Sequence, residues 1–141
     1  MKNKIKNFLF GRIVMVHPQL TTDPQSRQGE TGIVVELKED NEIATVKFKD
    51  CGKADYSIGG LLTLYPKDVM LQGVISNPEI GTSNQRLILK IQKLADEKRY
   101  AEALKLAMAN DITVFHCITN CDHWTELMQE RKRSNGRMKK L

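Results

Sequence analysis

TGIVVELKEDNEIATVKF, residues 31–48, decides how the chain is read. Its two halves, TGIVVEL and EIATVKF, place apolar residues in short blocks and alternations suited to β-strands rather than at helical spacing. Lys38-Glu39-Asp40-Asn41 between them predicts a hairpin turn. Working outward, GRIVMV (11–16) forms a strand before the hairpin, and ADYSI (54–58) with LLTLY (61–65) supply one or two after it, parted by Gly59-Gly60. DVMLQGVI (68–75), following Pro66 with Lys67-Asp68 as a turn, completes about five strands. Strands this short cannot bury the apolar face of a flat sheet alone, so the first 75 residues are expected to curl into a small barrel or to fold as two packed sheets.

The periodicity changes near residue 80. SNPEIGTSN breaks the strand pattern with Pro78 and Gly81 and offers Thr82 or Ser83 as a helix cap, so residues 76–83 read as a linker. Leu87, Ile91, Leu94 and Ala95 then recur at amphipathic spacing, as do Tyr100, Ala103, Leu104, Ala107 and Met108. The break at 96–99 makes them a helical hairpin. A third helix is expected to start after a cap at Asn110 or Asp111. On it Val114, Cys117, Cys121, Trp124 and Met128 share one stripe, while His116 and His123 lie on another face. Free cysteine is among the most buried residue types, and the Cys pair sits where Val and Trp sit, so burial is the expectation. The alternative is a break at 120–122 that would gather Cys117, Cys121, His116 and His123, with Cys51 more distant, around a metal. That spacing matches no standard zinc pattern. The predicted class is therefore α+β: a barrel over 1–75, a linker over 76–83, three helices over 84–135 and a basic tail over 136–141.

Charge sharpens the functional reading. The net charge is +5, from 22 cations and 17 acids. Lys2, Lys4 and Lys6 stand in an acid-free N-terminus, and Arg131, Lys132, Arg133, Arg137, Lys139 and Lys140 in an acid-free C-terminal run. Residues 7–130 hold 13 cations against all 17 acids, so the body is slightly acidic and the basicity belongs to the ends. Basic arms favour polyanions. The polar segment HPQLTTDPQSRQ (17–28) is long for a connection without regular structure and would line a groove with His17 and Arg27 as contacts.

Three cysteines do not make a disulfide framework, which places the chain in a reducing, cytoplasm-like compartment. No stretch approaches the length of a membrane span, and Gly11 and Arg12 interrupt the N-terminal apolar run expected of a signal peptide. No motif of nucleophilic, metal-assisted or phosphate-transfer catalysis occurs, so the expectation is a binding module without a cofactor.

GRIVMV, the loop ending QGETGIVVEL, and IATVKF together resemble the strand–Gly–strand signature of KOW modules within the class of SH3-like small barrels, with Gly29, Gly32, Val34 and Val35 at the matching positions. The resemblance covers 11–48 closely and 49–75 loosely, and departs from KOW modules in the length of the 17–28 loop. In it, glycine supplies positive φ where a strand bends, and Lys67-Asp68 occupies the turn before the last barrel strand. LADEKRYAEALKLA further resembles one tetratricopeptide-like hairpin. The small-barrel resemblance implies binding of nucleic acid or protein. The favoured expectation is a nucleic-acid partner, RNA or a ribosome- or transcription-linked assembly, gripped by the basic termini and Arg27. The alternative is an adaptor whose helical hairpin contacts protein, including an acidic protein surface, as part of an assembly of the kind phages and mobile elements encode.

Overall fold

A computed structural model describes residues 8–21, 23 and 25–140, without the side chains of 135–140. Six strands form one antiparallel sheet. They are β1 (Ile13–Val16), β2 (Thr31–Lys38), β3 (Ile43–Phe48), β4 (Lys53–Ser57), β5 (Leu61–Leu64) and β6 (Ile118–Asn120), in the order β4-β3-β2-β1-β5-β6. A 3-10 turn over Ile58–Gly60 separates β4 from β5. The helices are α1 (Lys67–Ser76), α2 (Thr82–Asp96), α3 (Tyr100–Ala107), α4 (Asp111–Cys117) and α5 (Cys121–Lys140). The class is α+β.

Sequence and sheet position agree strand by strand. β2 and β3 pair from Gly32↔Phe48 to Lys38↔Ile43, with an irregularity between Val34 and Glu36; β2 buries Val34 among half-buried and exposed residues, while β3 buries Ala44, Thr45, Val46 and Phe48. The turn between them places Glu39, Asp40 and Asn41 at positive φ. β1 and β5 read instead as the near-continuous apolar runs IVMV and LLTL because they are covered on both faces. Val14, Val16 and Leu61 point into one core with Val34, Val46, Phe48 and Tyr56; Leu9, Cys121 and Trp124 close its end. Met15, Leu62 and Leu64 point the other way, into a second core with Met70, Ile88, Ile91, Leu104 and Cys117. Helices thus lie directly on the central strands.

Several expectations change. The sheet is open among the described residues, since nothing pairs β4 with β6, and there are five helices rather than three. DVMLQGVI is not a strand but most of α1: Pro66 precedes the first turn, Asp68 sits where the helix dipole favours a carboxylate, and Met70 and Val74, four apart, face the helical core. The helical half therefore begins at 67, and residues 76–83 hold the end of α1, a 3-10 turn over Pro78–Ile80 and the start of α2. Lys67-Asp68 is not a turn before a strand but the start of α1; the short turn that precedes β5 is the 3-10 turn Ile58–Gly60. Gly29 does have φ +83, but Gly32 serves by close approach: a Cβ there would stand 2.6 Å from Val46 Cγ1 and 2.7 Å from the Lys47 carbonyl oxygen. The expected continuous third helix is two, α4 and α5, with β6 between them. Asn110 caps α4 through a reciprocal box with Thr113, as its sequence position suggested. α5 extends through Lys140, so the basic run from 131 is helical backbone rather than a separate tail.

Candidate functional site

Arg12 enters the fold at an unusual place. Gly11 and Arg12 interrupt an apolar run just before β1, and the guanidinium ends between strand and helix, half-buried. Its Nε donates to Thr63 Oγ1 at 2.8 Å and its Nη2 to the Leu64 carbonyl at 3.0 Å. Its Cζ lies 4.0 Å from the centroid of the Trp124 ring, a cation–π contact. Among the described residues Nη1 makes no hydrogen bond and no carboxylate comes within ion-pair range of the side chain. Desolvation lowers the pKa of Arg12, offset in part by Cys121 and Tyr100. A cation withdrawn from water without a carboxylate is costly unless other groups compensate; here an indole face, a hydroxyl and a carbonyl do so, and one nitrogen remains uncommitted.

That side chain lines a cavity of about 440 Å³ with Phe8, Phe10, Lys98, Tyr100 and Leu104 around it. Phe10 is 61% exposed and Tyr100 39%. Lys98, at φ +64 in the connection between α2 and α3, is exposed and without an ion pair among the described residues. The volume falls within the range of small-ligand sites. Three aromatic rings, two of them exposed, and two cations thus share one recess.

The recess runs onto the sheet. Ile13, which also lines it, is the cross-strand partner of Ile33, Ile33 of Lys47, and Lys47 of Lys53. Cross-strand partners share a face, so a row leads from the cavity over a half-exposed isoleucine to two exposed lysines. Lys47 and Lys53 stand opposite each other with no carboxylate partner among the described residues, an arrangement that disfavours folding by like-charge repulsion. A second basic feature is the exposed set Arg86, Lys90 and Lys93, spaced four and three apart on α2 and likewise without ion pairs among the described residues.

The residues expected from sequence fare differently. Lys2, Lys4 and Lys6 lie outside the described residues, as do the side chains of Arg137, Lys139 and Lys140. Arg131 is tied to Asp68 at 2.6 Å and Arg133 reaches Glu130 at 3.9 Å, while Lys132 is exposed. Arg27 is neutralised: its Nη1 is 3.1 Å from both Glu30 Oε1 and Asp50 Oδ2, and its guanidinium lies over Phe48. The described part of the 17–28 loop is likewise tied down, around Asp23. Asp23 accepts hydrogen bonds from the amides of Gln25 and Arg27 and from the Tyr56 hydroxyl. Burial opposes its charge, but those donors outweigh it and hold its pKa below the ordinary aspartate value. His17 Nδ1 accepts from the Gln19 amide.

Cys117 and Cys121 are both fully buried but in different cores. Burial pushes each thiol up to about 12. His116 fits against Gly73, where a Cβ would meet its ring nitrogen at 2.6 Å, and His123 stands edge-on to Tyr65. Among the described residues no three His, Cys, Asp or Glu side chains gather as metal ligands would. No helix among them is long and apolar enough to cross a membrane.

Arg12, Lys98, Phe10 and Tyr100 escaped the sequence reading. One signal was present, an arginine within FLFGRIVMV, where an apolar run tolerates a charge only with a local reason. Tyr100 was assigned to a core stripe, yet it stands at the first position of α3, where the helix has not yet turned under its neighbour. Comparison with protein-family models, curated proteins and solved structures finds no match to this chain.

Proposed function

We propose that this protein is a nucleic-acid-binding module, with single-stranded RNA as its favoured ligand, and that the Arg12 recess is the centre of its interface. The observation that carries this reading is the meeting of Phe10 and Tyr100, both exposed, with Arg12 and Lys98, neither neutralised among the described residues. Single-strand binders pair stacking platforms with cations that track phosphates. Of the aromatic residues in or next to the sheet, Phe48 and Tyr56 are buried and Tyr65 is half-buried, whereas Phe10 and Tyr100 at the recess are exposed beside cations without an ion pair among the described residues. Lys47 and Lys53 extend the cationic path over the sheet, and the basic ends add charge that raises affinity without choosing a ligand.

The small-barrel resemblance supports the same reading. We read the strand order β4-β3-β2-β1-β5, with a 3-10 turn before β5, as compatible with that resemblance, although the sheet is open among the described residues and carries β6 beyond β5. The proposal places the protein among non-enzymatic binders in a reducing compartment.

Fluorescence-polarisation titration of labelled single-stranded RNA, duplex RNA and duplex DNA at two salt concentrations tests it. Salt-dependent binding that prefers single strands, and that keeps this preference in a chain ending at Glu130, is expected. Absence of binding near physiological salt, or equal affinity for all three ligands, contradicts it.

A second reading has its own observation. Phe115, on α4, is 75% exposed and lines a cavity of about 510 Å³ with Tyr65, Val69 and Val114. An exposed apolar side chain of this size favours a protein contact there. Phe115→Ser would abolish capture of such a partner and leave RNA binding unchanged.

A further inference from the structure

The recess is narrower in its demands than a general polyanion surface. Arg12 is half-buried and fixed at three points, by Thr63 Oγ1, the Leu64 carbonyl and the Trp124 face, so Nη1 is the guanidinium nitrogen left for a ligand. The anion must therefore come down into the recess. Phe10 and Tyr100 stand at the same cavity with large exposed areas, so whatever brings the anion also brings a flat surface within reach of it. A duplex cannot meet both demands, because its bases are stacked inside a cylinder of phosphates; an unpaired nucleotide can.

Resting on the nucleic-acid reading above, we infer that the Arg12 recess is a one-nucleotide subsite, which takes the phosphate of a single unpaired nucleotide against Arg12 Nη1 and Lys98 and stacks its base on Phe10 or Tyr100. The phosphate supplies the counter-charge that Arg12 lacks within the fold. The cavity of about 440 Å³ suits one nucleotide and excludes two stacked ones from the same recess. Neighbouring nucleotides would leave over Ile13 and Ile33 toward Lys47 and Lys53, a path that three strand-to-strand spacings make about 14 Å long.

The single tryptophan makes the subsite observable, because Trp124 is the ring under Arg12. The full chain is titrated into the millimolar range with uridine 5′-monophosphate, with uridine and with inorganic phosphate at constant ionic strength, reading Trp124 fluorescence. A short labelled oligouridine is measured in parallel by polarisation. The expected result is saturable binding of the monophosphate, about tenfold tighter than of either half alone. Arg12→Lys, which keeps charge but loses the guanidinium fork, should remove that advantage and leave uridine binding intact. Tyr100→Ala should weaken uridine and monophosphate together, with far-UV circular dichroism verifying both folds.

Phosphate binding as tightly as the monophosphate would make the recess a bare anion site and overturn the inference. So would uridine equalling the monophosphate, or no saturable change with any of the three. Oligouridine binding without monophosphate binding overturns the subsite and leaves the broader function standing. Monophosphate binding without oligouridine binding does the reverse.

Discussion

Two arginines of this protein lie on aromatic faces, and they have opposite surroundings. Arg27 sits 4.4 Å from the centroid of Phe48 and has two carboxylates, Glu30 and Asp50, on one nitrogen. Arg12 sits 4.0 Å from the centroid of Trp124 and has none among the described residues. Stacking alone does not distinguish a structural arginine from one held for a ligand; the counter-charge does. Around Arg27 the fold has supplied everything the cation needs, including a loop built on Asp23. Around Arg12 it has supplied only neutral acceptors and an open recess.

The Arg27 side of the comparison is broken most severely through Asp23. Asp23→Ala removes the acceptor for two loop amides and for the buried Tyr56 hydroxyl, and should destabilise the protein by about 2–3 kcal/mol in urea unfolding. RNA affinity should hardly change, since none of the described loop residues lines the recess. A comparable loss of affinity would mean that the loop belongs to the interface after all.

Thr63→Val acts on the other arginine. It deletes the oxygen that accepts from Arg12 Nε while keeping the shape of β5, with an expected cost of about 1 kcal/mol in stability. The guanidinium loses one of its fixed points, so RNA affinity should fall several-fold. Unchanged affinity would remove Thr63 from any positioning role.

Acid distinguishes the two sides without mutation. Asp23 and Asp50 on the Arg27 side have depressed pKa values. For Asp23 burial resists and the Arg27, Gln25 and Tyr56 donors prevail; for Asp50 the Gly52 amide leads, followed by Arg27. A depressed carboxylate contributes stability that is complete above its unfolded pKa of about 4 and is lost as pH falls through the folded value. Melting temperature should therefore drop below about pH 4, and Asp23→Asn should flatten the drop. Arg12 has no carboxylate partner among the described residues and adds no ion pair to this loss.

The smallest effects probe the core shared by sheet and helices. Gln92 is buried in α2 with its Nε2 unpaired among the described residues, so Gln92→Met should stabilise by up to about 1 kcal/mol. Alkylation of the native protein should modify Cys51, which is exposed, while Cys117 and Cys121 stay protected until unfolding. Early reaction of Cys121 would mean that the end of the Trp124 core opens readily, and the support beneath Arg12 with it.

What could be read from the sequence follows the same division. β2 and β3 were legible because their short apolar blocks, rich in β-branched residues and parted by a polar turn, carry no helical period. α2 and α3 were legible because each presents one apolar stripe. DVMLQGVI was misread because an apolar block of eight residues fits a buried strand and a short helix equally well, and only packing of Met70 and Val74 against the other helices decides between them. β6 was hidden for a similar reason: ITN has too few residues to declare a strand, and it becomes one by pairing with β5 over fifty residues upstream. Arg27 was visible as a cation in a polar loop, but its neutralisation depends on Asp50, brought close by the β3–β4 turn. The recess around Arg12 draws on residues near 10, 63 and 100, which no local pattern connects.

The most direct test sets the two arginines side by side. Arg12→Met and Arg27→Met each replace a stacked guanidinium with an apolar chain of similar length, and each variant is titrated with single-stranded RNA and melted thermally. Arg12→Met should lose about tenfold in RNA affinity with little change in melting temperature, and Arg27→Met should melt lower with unchanged affinity. If both variants bind RNA as the parent does, or if Arg27→Met is the one that loses affinity, Arg12 is a packing residue and the recess is not the interface.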